Sequence, residues 1–346
     1  MNKNYFSLLD AVRFFAAFWV MNFHYLLVLG LSGDLHWYRY GNLGVQLFFI
    51  ISGFVIVQSI QGKTFKEFFT GRFIRLFPIF WILCTVTYLV TVSVPNANPL
   101  SLNEYFISMT MLGDPINEAS ENNLGLIDAS YWTLTVELIF YIVIGVFSFI
   151  FSTKNIRYFF LFWLSLSASA FLFNIDQNFY IKLALVRHTS YFVFGGALAL
   201  IATKHAKSLY EKYFDYSLLV MSAIYSLYIH PKALPGYVTP NSLDLKIVTG
   251  LHLVFFVGTI LAVYLSSFLK SEKTTRFLLV LGGLTYPLYL LHQTIGNTII
   301  NYMTNRFSLS WNMFALVFEI FIIGIAYVAY LQDKKMRGWL KIKFNL

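Results

Sequence analysis

An all-α membrane fold with about ten spanning helices is the architecture this sequence predicts, and three observations carry it. Of the 346 residues 58% are hydrophobic and 12% charged, against about 25% charged in an average soluble domain. The apolar residues, 37 Phe among them, gather into runs long enough to cross roughly 30 Å of hydrocarbon as helices. The 25 Lys and Arg concentrate between those runs on one side.

Ten segments read as spans: 9–29, 43–60, 74–94, 131–152, 156–173, 188–203, 214–230, 247–268, 278–300 and 311–331. An even number puts both termini on one face. Eighteen of the 25 basic residues fall on that face, six on the other, and Arg13 lies within a span. The positive-inside rule makes that face the cytoplasm. The net charge of +9 is therefore topogenic, and nucleic acid is excluded as a partner. The single cysteine, Cys84, rules out an intrachain disulfide and a Cys-rich zinc site. No small-residue cleavage site follows the first segment, which is expected to remain as an anchor. With no linker, repeat or low-complexity tract, residues 1–346 read as one membrane domain without an appended soluble one.

The longest gap, residues 95–130, is external and acidic, with Glu104, Asp114, Glu118, Glu121 and Asp128 and no Lys or Arg. It reads as a solvated loop or part of an acceptor-binding surface, and residues 100–112 suit a short interfacial or re-entrant helix. Segment 231–246 is Pro- and Asn-rich, hence an external loop. The closing DKKMRGWLKIKF is basic with Trp339 and Phe344 and suits an anchor on the anionic cytoplasmic leaflet.

Candidate chemistry begins in the first segment. Arg13 and His24 stand with ten residues between them, about 16 Å apart along a helix. A cation thus sits near one face and an imidazole near mid-membrane. Ionisable groups at such depth face a protein interior or a wet cavity. His24 suits a general base or a packing histidine. Arg13 either snorkels to the interface or pairs with Asp10, three residues earlier. In GRFIRLFP, Arg72 and Arg75 share a helix face at the cytoplasmic edge, as a phosphate clamp or as topogenic charge, and Pro78 kinks or starts the span. In YWTLTVELIFY, Glu137 is a carboxylate inside an apolar run and requires a partner, with His24 and Arg13 the candidates. Glu319 is placed similarly without a motif. In GGLTYPLYLLHQ, His292 follows Gly282, Gly283 and Pro287, which permit close packing and a kink. GNLGVQLFFIISGFVI, with Gly44 and Gly53, reads as a close-packed helix. No metal-binding, P-loop or hydrolase motif is present.

In order and wording these motifs resemble acyltransferase family 3, polytopic membrane enzymes that O-acylate cell-surface sugars of the O-antigen acetylase type. That family's Arg-x10-His pair falls on Arg13 and His24, and its paired arginines on Arg72 and Arg75. Its Trp–Ser–Leu–x–Val–Glu motif falls on Trp132 to Glu137, with Thr133 in the Ser position and Thr135 in the variable one. Ala11 and Gln46 stand where members often carry Gly and an acidic residue, and the hydrolase-like domain that some members append is not expected here.

The resemblance implies transfer of an acyl group, with acetyl expected, from cytoplasmic acetyl-CoA to a hydroxyl of a cell-envelope glycan or lipid-linked sugar. The setting it implies is the bacterial inner membrane, with acyl-CoA as a co-substrate and no bound cofactor or metal. In this reading Arg72 and Arg75 hold CoA phosphates. His24 serves as base or acyl carrier, Glu137 orients it, Arg13 assists, and Asp10, Trp132 and His292 are secondary. A transporter or flippase of a lipid-linked glycan is the alternative, since buried ionisable residues also serve proton coupling.

Overall fold

The computed structural model describes residues 5–28, 38–94, 100–120, 124–185, 187–229, 242–307 and 311–344, and among these every regular element is helical. In chain order they are α1 (Leu8–Val28), α2 (Gly44–Ile60), α3 (Phe65–Ser93), α4 (Leu102–Met109), α5 (Gly113–Ala119), α6 (Trp132–Phe151), α7 (Ile156–Leu172), α8 (Phe179–Leu183), α9 (Thr189–Ala202), α10 (Leu209–Ile229), α11 (Ser242–Ser266), α12 (Glu272–Leu291), α13 (Thr294–Phe307) and α14 (Trp311–Lys343). Short 3₁₀ turns precede α2, α6 and α7.

A helix underlies each of the ten apolar segments. Among the described residues six of these helices are long and apolar enough to cross a membrane: those in Tyr38–Ile60, Phe65–Ser93, Ala129–Phe151, Thr153–Leu172, Asp244–Ser266 and Glu272–Leu291. The chain is thus an all-α, multi-pass membrane protein. α9, at 14 residues, rises only about 21 Å, less than the hydrocarbon thickness.

Three boundaries differ from the sequence expectation. α3 begins at Phe65 and runs through Pro78, so Arg72 and Arg75 stand two turns inside it rather than at its start. The basic C-terminal stretch is a continuation of α14 to Lys343, supported by the Asp333–Arg337 pair at 2.6 Å, an i,i+4 contact that favours helix. The expected single span 278–300 is two helices, broken at His292 and Gln293. An unbroken helix would give the Thr294 amide to the carbonyl four residues back; here it donates to Asp128 Oδ2 at 2.8 Å. The expected short helix in 100–112 is α4, held by a capping box between Ser101 and Glu104. The expected loop 231–246 lies largely outside the described residues, and its last five residues already belong to α11.

The chain forms two compact units. The first comprises Met1–Arg13, Val45–Phe65 and Ile139–Leu278. Its centre is α9, whose residues from Thr189 to Leu200 are all buried, as expected of a helix apolar on every side. α2 and α9 meet backbone to backbone. A methyl on Gly53 would strike the Phe192 carbonyl oxygen, and one on Gly195 the Ile50 carbonyl oxygen. Stacked rings surround the contact, with Phe140 and Phe192 at 4.1 Å and Phe140 and Trp163 at 5.9 Å. Arg157, expected as a topogenic charge, is 2% exposed and pairs with Asp215 at 3.0 Å and Glu211 at 2.6 Å.

The second unit comprises Phe14–Gly44, Lys66–Leu138 and Leu279–Leu346 and contains most of the chemically suggestive residues. Gly44 lies under the Ala16 carbonyl, and Gly283 leaves room for the Tyr330 ring. These are small-residue contacts of the kind that membrane helices use in place of a hydrophobic driving force.

The α2–α9 contact generates a prediction. Gly53→Ala or Gly195→Ala should destabilise the protein by about 1–3 kcal/mol, the usual cost of overpacking. Gly250→Ala and Gly258→Ala, where an added methyl meets nothing within 4 Å, should leave stability equal or raised, since Ala exceeds Gly in helix propensity by about 1 kcal/mol. Thermal unfolding of the four variants in detergent checks the contrast.

Candidate active site

α1 is apolar apart from Asp10, Arg13, Asn22 and His24. Arg13 and His24 are both half-buried, and the helix between them is continuous. Asp10 accepts a hydrogen bond from the Tyr5 hydroxyl. The His24 ring lies edge-on to Phe23 and 5.2 Å, centroid to centroid, from the ring of His292, at a tilt of 51°. The structure therefore brings together two histidines that are 268 residues apart in the chain.

His292 sits in the break between α12 and α13 and is 1% exposed. Its Nδ1 is 2.6 Å from the Tyr289 carbonyl oxygen. A carbonyl only accepts, so Nδ1 carries the proton and Nε2 presents a lone pair. That Nε2 is buried and has no hydrogen-bond partner among the described residues. The Tyr289 ring packs 5.1 Å from His292. Its hydroxyl meets Thr133 Oγ1 at 2.7 Å and the Ser130 carbonyl at 3.3 Å.

Asp128 ties this corner together. It is fully buried and accepts at every side. Oδ1 takes the Ser130 amide at 2.8 Å and the Ser130 hydroxyl at 2.5 Å, and Oδ2 takes the Thr294 amide. One carboxylate thus caps both the turn that starts α6 and the first turn of α13, where amides lack helical partners and the dipole favours an anion. Its charge also lies within electrostatic range of His24.

Of the remaining sequence candidates, Glu137 is half-buried one turn beyond Thr133, and its charge reaches Tyr289. Thr133, in the motif's Ser position, is part of the buried network, and Thr135 donates to the Met111 carbonyl at 2.6 Å. Trp132 is 37% exposed. Arg72 lies 5.6 Å from the Phe68 ring centroid, a cation–π contact. Arg75 is within electrostatic range of Asp333, which pairs with Arg337. Among the described residues no group of three His, Cys, Asp or Glu could hold a metal. Sequence reasoning missed Asp128, Ser130, Tyr289 and Thr294. A signal existed for the first: an Asp two residues before a Ser, just ahead of an apolar run, is an N-cap pattern.

The loop that delivers Asp128 is held by Glu104, whose carboxylate accepts from the Ser101 amide at 2.6 Å, the Ser101 hydroxyl at 2.9 Å and the Gly125 amide at 2.9 Å. The bonds from Ser101 and Gly125 hold Glu104 below the ordinary glutamate value of 4.5. A lowered folded value means that the stabilisation is complete above pH 4.5 and fades as pH falls through the lower value. Hydrogen-exchange protection of the Ser101 and Gly125 amides should drop with acid in this range, and Glu104→Ala should abolish both the protection and its pH dependence.

Asp128→Ala should have a larger effect, because it strands three donors, two of them buried. Hydrogen bonds to a charged group are worth about 1.5–3 kcal/mol each, so the variant should lose several kcal/mol and accumulate poorly in membranes. Asp128→Asn, which keeps one acceptor oxygen, should fall between it and the parent in thermal unfolding. An alanine variant as stable as the parent would remove the clamp.

The chain matches the acyltransferase domain family over residues 6–331. Nodulation protein 10 of Rhizobium leguminosarum bv. viciae is 28% identical over 154 residues, 39% of this chain and 42% of that protein. Exopolysaccharide production protein ExoZ of Rhizobium meliloti (strain 1021) is 28% identical over 113 residues, 31% of this chain and 34% of that protein. The matched stretches span less than half of either relative's length. No solved structure matches the chain. Since the family match runs through nearly all of the spans and through every motif described above, the protein belongs to the membrane acyltransferases of acyltransferase family 3.

Proposed function

We propose that this protein moves an acyl group, with acetyl the expected one, from cytoplasmic acyl-CoA to a hydroxyl of a cell-envelope glycan. Its setting is the bacterial inner membrane, with both termini in the cytoplasm. The observation that carries the reading is the half-buried imidazole of His24 set against a fully buried polar corner made by His292 and Asp128. A base needs one side open to substrate and the other facing protein, and a half-buried ring beside His292 supports that role for His24. A relative named for exopolysaccharide production supports a saccharide acceptor.

In this mechanism His24 takes the proton of the acceptor hydroxyl as its oxygen attacks the thioester carbonyl. The carbon–sulfur bond breaks, its electron pair passes to sulfur, and the imidazolium returns the proton to the departing thiolate. Arg72 and Arg75 bind the donor's phosphates, for which the guanidinium fork is suited. Glu137, half-buried one turn beyond the buried Thr133, lends its charge to the same corner. One observation favours transport of a lipid-linked glycan instead: the α12–α13 break, since discontinuous helices are common at transporter binding sites.

Purified protein in detergent, supplied with acetyl-CoA and an acceptor glycan, separates the two readings. An enzyme consumes acetyl-CoA in step with glycan acylation, whereas a transporter consumes none. His24→Ala should lower kcat about 10²- to 10⁴-fold at matched protein level. Arg72→Lys combined with Arg75→Lys keeps the charge and loses the fork, so it should weaken acetyl-CoA binding about 10- to 100-fold, the equivalent of one charge-assisted bond. Unchanged donor affinity in the double variant would make the arginines topogenic.

A further inference from the structure

We infer that His292 is a positioning residue for His24: its bare Nε2 accepts the N–H of the His24 imidazole and leaves the other His24 nitrogen as the base. The inference rests on the assignment of His24 as the base and adds what sets its tautomer.

Four observations carry it. The proton on His292 is located, because Nδ1 faces a carbonyl oxygen at 2.6 Å, so Nε2 is an acceptor. That acceptor is on a side chain 1% exposed and has no partner among the described residues. Leaving a buried polar atom unsatisfied costs about 1–3 kcal/mol, and a leucine there would avoid the cost. A ring able to offer an N–H lies beside it among the described residues: His24, at 5.2 Å between centroids. Catalytic hydrogen bonds that are long in an unliganded enzyme tighten when substrate binds.

The fourth observation is a difference in restraint. His292 is fixed by its carbonyl contact, by packing on Tyr289, whose hydroxyl is itself anchored, and by the Asp128–Thr294 bond two residues on. His24 is half-buried, and among the described residues its ring has no comparable clamp. The fixed ring therefore orients the freer one.

The chemistry balances without a further reactant. His24 gains the acceptor's proton on its free nitrogen while the opposite N–H stays bonded to His292 Nε2. The resulting imidazolium is stabilised by that bond and by the Asp128 charge, and the proton then leaves with sulfur. His292 keeps its own proton on Nδ1 throughout. It does the work that a carboxylate does in a Ser–His–Asp triad, where holding the imidazole in the right tautomer is worth about 10⁴-fold.

The test uses the full chain in detergent with acetyl-CoA and acceptor glycan. A glutamine at this position can donate to the Tyr289 carbonyl and accept from His24; a leucine can do neither. His292→Leu should lower kcat about 10²-fold or more with KM for acetyl-CoA unchanged, and His292→Gln should stay within about tenfold of the parent. His292→Leu within about threefold of the parent kcat, or a change confined to KM, would overturn the inference. If the leucine variant fails to accumulate, the glutamine variant decides: a kcat above about a tenth of the parent with unchanged KM supports the inference, and a lower one overturns it. His24→Ala in the same preparation keeps the two assignments apart. An active His24→Ala removes the base itself. An inactive His24→Ala beside an active His292→Leu leaves the base and removes only its partner.

Discussion

A single buried carboxylate organises the chemically suggestive part of this molecule. Asp128 has no exposed surface, and a bare carboxylate there would be prohibitively costly. It is tolerated because amides and a hydroxyl from two separate helix starts converge on it. The same bonds have a topological consequence. By drawing the Thr294 amide out of the helical ladder, Asp128 divides one apolar stretch into α12 and α13 and leaves His292 at the corner. The neighbouring contacts, Tyr289 to Thr133 and Ser130 and His292 to the Tyr289 carbonyl, all lie within a few residues of those two capped ends.

Elsewhere the structure relies on close approach. Between helices in lipid the hydrophobic effect supplies little, and small residues that let backbones touch supply dispersion instead. Gly53 and Gly195 place α2 and α9 in such contact, each beneath the other helix's carbonyl. The buried Arg157 group follows a different logic. A guanidinium at 2% exposure is stable only while Asp215 and Glu211 remain beside it, and removal of one partner of such a pair commonly costs about 3–5 kcal/mol.

The histidine pair differs from the familiar triad in how charge is arranged. There a carboxylate holds the imidazole directly. Here a backbone carbonyl fixes His292, and the nearby carboxylate is occupied by amides and a hydroxyl, contributing field rather than a bond to either ring. Fixed dipoles in a site of low dielectric require no reorganisation as charge develops. The paired arginines of the second unit each have an identified neighbour. Arg72 rests on an aromatic face, and Arg75 lies in the field of an acidic residue already paired with Arg337.

Much was legible in the chain itself. Apolar runs and the distribution of Lys and Arg specify an all-α membrane protein because lipid leaves backbone groups only intrachain partners. The Arg13–His24 spacing, the arginine pair and the Trp132–Glu137 motif point to the family because they are local patterns, readable along one helix at a time. Partnership is not local. Asp128 reads as one acid of an external loop, solvated or part of a binding surface; the Ser two residues on hints at a local cap, but only burial brings Asp128 the Thr294 amide of a distant helix. His292 reads as one histidine in an unbroken span, and only the loss of the Thr294 amide to a carboxylate 166 residues away creates the corner that sets it beside His24. Composition and periodicity decided which segments become helices. Tertiary structure decided where one of them breaks and which side chains meet there, because a buried carboxylate takes the donors that the folded chain brings to it.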